Sequence, residues 1–314
     1  MSKKYSKILV MMALCTYASA QTSPNFTQYI FNKFYYNPAA AGTGNQSQIQ
    51  ASLRSQYTGY LSDSDPGGGN TVSVFSADLP IQKIKGGLGV YFSSNQFSKI
   101  ENKQEISLNY AYHKRINNNL ISAGFGVGIN NLRLFGENYR PRDDEDPIIP
   151  NTTVNLKALS FNTGIFLQNP SYQIGLSAKN LIKPSYQVGE GTISENPTLI
   201  LFGKYDLGVS YTLDISPTFL IKSDFIKYNT ELGVITTYNQ KYWGGVNYRW
   251  QDAVSVMLGG NFLKNMVKLG YSIDFVNFGT TAKSTTSHEI FLRYALASPK
   301  FGKKTIIKTP RYNF

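Results

Sequence analysis

The chain has 314 residues, 41% of them hydrophobic and 14% aromatic, with 31 Lys and Arg against 19 Asp and Glu. Its one cysteine, Cys15, excludes a disulfide framework or a Cys-ligated metal cluster. In an exported chain a basic excess points to anionic envelope components or acidic proteins, not to nucleic acid.

Residues 1–20 carry three lysines, an apolar run from Ile8 to Leu14, and Ala18-Ser19-Ala20 at the end, the layout of a cleaved secretory signal. The mature chain is expected to start at Gln21. Bulky Leu14 directly before Cys15 argues against lipidation of that cysteine. After Leu14 no stretch approaches the ~20 apolar residues of a spanning helix. The mature chain is therefore soluble or crosses a membrane as strands.

Residues 21–47 come next and contain FTQYIFNKFYYNPAAAG, from Phe26 to Gly42. Its rings match neither a helical stripe nor a clean strand. Pro38 has no N–H to give a central ladder, and Asn37-Pro38 turns the chain. Water is a poor environment for so many rings. The segment is expected to fold against the periplasmic mouth or lumen of a barrel built by residues 48–296, with Phe26, Tyr29, Phe31, Tyr35, Tyr36, Asn37, Pro38 and Gly42 as its plug or partner-binding residues. The competing reading is an irregular first strand.

From residue 48 to 296, segments of period two recur near 48–57, 70–79, 86–95, 103–115, 119–131, 157–168, 171–182, 198–213, 218–227, 230–239, 241–250, 253–262, 266–275 and 287–296. Ile121, Ala123, Phe125, Val127 and Ile129 share one face of the fifth. Charges take the opposite parity: Arg54, Glu105, Arg115, Lys179, Lys204, Asp206, Lys222, Asp224, Glu231, Arg249, Lys268, Asp274, Glu289 and Arg293. A charge facing lipid near the bilayer midplane costs ~2–4 kcal/mol, which sorts the two faces. Mixed signs imply pairing across strands rather than a selective pore.

Connections alternate between long (58–69, 94–102, 132–156, 183–197, 276–286) and short (80–85, 116–118, 169–170, 214–217, 240, 263–265), as tight periplasmic turns and longer external loops would; those near Asn229 and Gln251-Asp252 are exceptions. Aromatics near strand ends, among them Tyr57, Tyr112, Tyr211 and Trp250, suit interfacial girdles. Glycines such as Gly87, Gly89, Gly124 and Gly164 weaken strands unless something approaches closely. Together these features predict an all-β, transmembrane, antiparallel up-and-down β-barrel of about fourteen strands with a polar lumen, in the outer membrane. A barrel that wide must hold water or a plug.

Chemistry is sparse. His113 and His288 lie in no serine-hydrolase motif, and neighbours Ser287 and Glu289 fall on the other side of a strand from His288. Asp143 to Asp146 lack EF-hand spacing and read as a solvated loop. No catalytic, cofactor or metal residues are expected. Residues 297–314 form a basic periplasmic tail, either a docking element or a frayed end.

Gln28-Tyr29-Ile30-Phe31-Asn32 with Tyr36-Asn37-Pro38-Ala39-Ala40-Ala41-Gly42 resembles the N-terminal signature of the PorP/SprF family of type IX secretion outer-membrane proteins. Arg54-Ser55-Gln56-Tyr57, Gly87-Leu88-Gly89-Val90-Tyr91, Tyr110-Ala111-Tyr112-His113, Asp146-Pro147, Tyr248-Arg249, Gly270 to Asp274 and Ser287 to Ile290 resemble its later landmarks in order. Tyr57 stands where the family usually has Trp, and Thr309 to Phe314 resembles its ending without the cysteine. The resemblance implies a non-enzymatic barrel working with secretion components in the periplasm and outer membrane and with membrane lipids. Such a barrel secretes or anchors a cargo such as a large gliding adhesin, as a shared subunit or a dedicated paralogue. The residues alone leave two rivals, a diffusion channel for small solutes or fatty acids and a lipid-modifying barrel enzyme.

Overall fold

The computed structural model describes residues 25–44, 46–58, 69–139, 150–189, 191–277 and 285–296. The signal region, Asp143 to Asp146 and the basic tail lie outside these. The wall begins with β1 (Ser47–Gln56), β2 (Asn70–Ile81), β3 (Gly86–Phe97), β4 (Glu101–Ile116), β5 (Asn119–Phe135), β6 (Thr153–Gln168) and β7 (Tyr172–Lys179). A small hairpin, β8 (Ser185–Val188) and β9 (Gly191–Ser194), interrupts it. It continues with β10 (Thr198–Tyr205), β11 (Leu207–Ser210), β12 (Leu213–Ser223), β13 (Tyr228–Tyr238), β14 (Tyr242–Arg249), β15 (Ala253–Phe262), β16 (Val267–Val276) and β17 (Thr286–Leu296). Neighbours pair antiparallel in chain order, β10 pairs β12, and β1 pairs β17 with Arg54 opposite Glu289. With β10 and β11 as one interrupted strand, the result is a closed barrel of 14 strands. An even number leaves both ends of the wall on one side, the periplasmic side for an exported chain.

The pleat sorts the side chains. Ile121, Phe125, Val127 and Ile129 face outward, whereas Arg54, Glu105, Lys222, Glu231, Arg249, Asp274 and Glu289 are buried inside. Unlike a porin, the barrel has its main apolar cluster in the lumen, where wall residues such as Tyr91, Phe166, Phe202, Trp243 and Phe291 pack on the N-terminal segment.

Several details differ from the sequence expectation; the connection over 132–156, for one, shortens because β5 runs to Phe135 and β6 starts at Thr153, and the turn near Asn229 lies at 224–227. Strands β3 and β4 run on to Phe97 and from Glu101, so the connection expected over 94–102 shrinks to three residues, 98–100. The turn expected over 214–217 lies instead at Tyr211-Thr212, and Pro217 sits inside β12. Proline is tolerated there because pairing toward β10 and β11 lapses beside it, between Lys204 opposite Thr218 and Leu207 opposite Ile215, with the register unchanged. Tyr57, placed by parity in the outer girdle, has a φ of 56° and turns inward onto Ala253 and Val276. Finally, the loop over 183–197 carries the β8–β9 hairpin, whose Tyr186 and Val188 pack on Leu132 and Leu134 of β5. Glu195 pins that loop by accepting from Asn180 Nδ2 at 2.9 Å and Tyr186 at 3.1 Å, and by pairing with Lys103.

Candidate functional site

Phe26 to Gly42 lies inside the barrel as three short turns, Tyr29–Phe31, Lys33–Tyr36 and Pro38–Ala40. Phe26, Tyr29, Tyr35, Tyr36, Asn37, Pro38 and Gly42 are buried, and Phe31 is half-buried. Single turns suffice because the lumen, not a helix of its own, supplies the partners.

The last stretch explains its own composition. Asn37 Oδ1 accepts from Ala39 N at 2.9 Å, while Nδ2 donates to the carbonyls of Ile165 (2.8 Å) and Leu176 (3.3 Å) on β6 and β7. One amide thus caps a turn and ties it to the wall, with Pro38 at the first position of that turn. The alanines after it run hard against the wall. A Cβ on Gly124 would lie 2.5 Å from Ala39 Cα and 2.7 Å from the Pro38 carbonyl carbon, and one on Gly87 would lie 2.6 Å from Gly42 Cα. Glycine is needed at both places to admit another backbone. Gly42, at φ +64°, donates its N–H to Asp78 at 2.8 Å, and His113 Nε2 bonds the Ala41 carbonyl at 2.9 Å.

The rings fill the middle. Phe34 lies over Gly89 and edge-on to Tyr91, with ring centroids 5.9 Å apart. Tyr35 meets Tyr91 at 5.4 Å beneath the Lys179 ammonium. Phe31 stacks on Phe291 (5.3 Å) and meets a tilted Trp243 (4.5 Å), the three rings forming one cluster, with Lys268 Nζ over the Phe31 ring at 4.4 Å. The Tyr36 hydroxyl accepts from Phe26 N at 3.0 Å, and burial holds the phenol well above its ordinary pKa. Burying each ring contributes on the order of 1.5–3 kcal/mol.

The first stretch is held by charge. Thr27 Oγ1 donates to Asp274 at 2.7 Å and accepts from Arg54 Nη1 at 3.0 Å and Arg249 Nη2 at 3.3 Å, which uses its full hydroxyl capacity. The N–H groups of Thr27 and Gln28 donate to the two oxygens of Glu289 at 2.7 and 3.1 Å. Asn247 Nδ2 donates to the Thr27 carbonyl at 2.8 Å, and Arg249 Nε pairs Glu231 at 3.0 Å. Arg54 also pairs Asp274. The charges pair across five strands, as mixed signs suggested, and they converge on a threonine that sequence reasoning passed over. A lone Thr between aromatics carries no signal. The nearest one was the cluster of lumen-parity charges near the external ends of β1, β13, β14, β16 and β17.

Neither histidine joins a catalytic arrangement. His288 points outward to Tyr271, whose hydroxyl lies 2.6 Å from Nδ1, while Ser287 and Glu289 are buried on the other side. Among the described residues no cluster could hold a metal ion, and no helix is long and apolar enough to cross a membrane.

Comparison with known proteins gives one family and one fold. A family model described as "Type IX secretion system membrane protein PorP/SprF" matches residues 18–294. A search of curated proteins returned no match. Among solved structures, the Ralstonia pickettii toluene transporter TbuX is similar with a TM-score of 0.54 and 11% identity, over 84% of this chain and 93% of that one. A Pseudomonas aeruginosa FadL homologue gives a TM-score of 0.49 and 12% identity, over 88% and 95%. At such identities the likeness to TbuX speaks to the outer-membrane barrel fold alone.

Proposed function

The chain belongs to the PorP/SprF family of type IX secretion system membrane proteins, and from that premise we propose that it works as a plugged, non-enzymatic outer-membrane scaffold. Family and fold are those of membrane secretion and transport barrels rather than of an enzyme family. In this reading the barrel engages secretion components from the periplasm. It helps to export a cargo protein, such as a large gliding adhesin, or anchors it at the surface through the loops over 132–156 and 183–197.

One observation carries the proposal. The segment that holds the family signature is spent on filling the lumen, with seven of the eight candidate residues buried. In this reading a barrel so filled offers its rims to partners rather than a path to solutes. The competing reading, a diffusion channel for small solutes or fatty acids, draws on the fold it shares with the toluene transporter.

Two experiments decide. Purified protein in planar bilayers is expected to be electrically silent; steady conductance from the intact chain would favour the channel. Crosslinked pulldown from intact envelopes, read by mass spectrometry, is expected to recover type IX components or one giant surface protein.

A further inference from the structure

The periplasmic rim carries an unopposed patch of positive charge. The turn between β2 and β3 presents Lys83, Ile84 and Lys85, and the end of β4 presents Lys114, Arg115 and Ile116; every one of these residues is exposed. The two stretches touch. His113 N–H donates to the Lys85 carbonyl at 2.7 Å, and the Tyr110 hydroxyl donates to the Ile84 carbonyl at 3.0 Å. Among the described residues none of the four cations makes an ion pair. The periplasmic ends of β2 to β5 hold a single carboxylate among those residues, Asp78, which is buried and accepts from Gly42 N–H at 2.8 Å. Other basic residues of the wall do find acids: Lys103 pairs Glu195, Lys179 pairs Glu105 at 3.1 Å, and Lys204 pairs Asp206 at 2.7 Å.

Placement favours a protein over lipid as the occupant. Tyr112 faces outward at the lipid boundary, and Lys114, two residues on, shares that face, whereas Arg115 takes the lumen face. Headgroups beside the wall meet Lys114 but not Arg115. Ile84 and Ile116, 40% and 43% exposed, stand among the cations, where an apolar contact stabilises and a headgroup supplies none. The patch also adjoins the seat of the N-terminal segment, because His113, next to Lys114, bonds the Ala41 carbonyl at 2.9 Å.

We infer that this patch docks a periplasmic protein through a face that sets Asp and Glu side chains around an apolar centre. The carboxylates meet Lys83, Lys85, Lys114 and Arg115, and the apolar centre covers Ile84 and Ile116. Opposite charge steers the encounter and fixes the register. The inference rests on the scaffold reading and gives the chemistry of its periplasmic partner.

The test places the photocrosslinker p-benzoylphenylalanine at exposed Asn118, in the turn after β4, in the full chain in intact cells. One periplasmic protein is expected in the adduct, joined through a peptide with more Asp and Glu than Lys and Arg. Lys83→Glu, Lys85→Glu, Lys114→Glu and Arg115→Glu together should cut that adduct on the order of tenfold, and replacing the acids of the partner's crosslinked peptide by Lys should restore it. The same four positions changed to Gln should weaken it severalfold, which keeps the test decisive should the reversed variant fail to insert; the gel mobility shift on heating reports insertion. An adduct with lipid alone, no protein adduct, a crosslinked peptide without acidic excess, or an adduct untouched by the Gln variant overturns the inference. Cargo export by cells lacking the chain tests the secretion reading separately. Normal export there removes that reading, whereas an adduct indifferent to charge removes only this docking patch.

Discussion

Gly124→Ala probes the seat of the N-terminal segment with a single methyl group. In the wall the change is harmless, since alanine is a better strand residue than glycine. In the lumen the new Cβ would lie 2.5 Å from Ala39 Cα and N, both backbone atoms with no flexible end to swing aside. Overpacking of this kind costs about 1–3 kcal/mol. Expelling the segment would forfeit several buried rings at about 1.5–3 kcal/mol each, so strain loses to burial and the segment stays but loosens. A weakening of that size corresponds to roughly a five- to 150-fold rise in transient opening. Limited proteolysis of the folded barrel, scored by cleavage between residues 26 and 42, measures it. Gly208→Ala is the control, because its nearest atom is an Asp214 oxygen 3.6 Å away. Proteolysis unchanged in Gly124→Ala, or equally raised in Gly208→Ala, would refute the steric reasoning.

Thr27→Val keeps the shape but deletes a hydroxyl bonded to three charged groups; at about 1.5–3 kcal/mol for a hydrogen bond to charge, a loss of about 3 kcal/mol in thermal or urea unfolding is expected. Arg249→Met should destabilise by about 3–5 kcal/mol because Glu231 is left buried and unpaired, while Arg249→Met with Glu231→Met should recover much of that. Burial lowers the Lys33 ammonium to about 8 from an ordinary 10.5, so the unfolded chain holds more protons between those values. Stability should therefore gain a rising component from pH 8 to 10.5 that Lys33→Met lacks in paired unfolding titrations. Val127→Lys, on the lipid face of β5, should cost about 2–4 kcal/mol and lower insertion into vesicles.

The wall was legible because a bilayer enforces the pleat. Each strand must turn hydrocarbon outward, so the parity of Ile121 to Ile129 against Arg54, Glu231 and Asp274 revealed strand count and facing together. What stayed hidden depended on contacts between distant segments. Pro217 reads as a turn residue until the gap in the β10–β11 ladder beside it is known. Tyr57 follows strand parity until its own left-handed backbone turns it inward. The aromatics of Phe26 to Tyr36 announced that they needed burial, and the lumen glycines that something came close. Neither said which ring met which wall. Thr27 had no sequence signal, since its role is made entirely by side chains 27 to 262 residues away.

The lumen location of the N-terminal segment can be tested by a crosslink. The only native cysteine is Cys15, so Lys33→Cys with Gln168→Cys in intact cells introduces a pair for a reducible bismaleimide at positions whose native side chains meet at 2.9 Å. A segment seated against β6 predicts near-complete bridging by the bismaleimide, seen as a mobility change reversed by reductant. Free thiols at both positions, in a barrel that still folds and reaches the outer membrane, would contradict it.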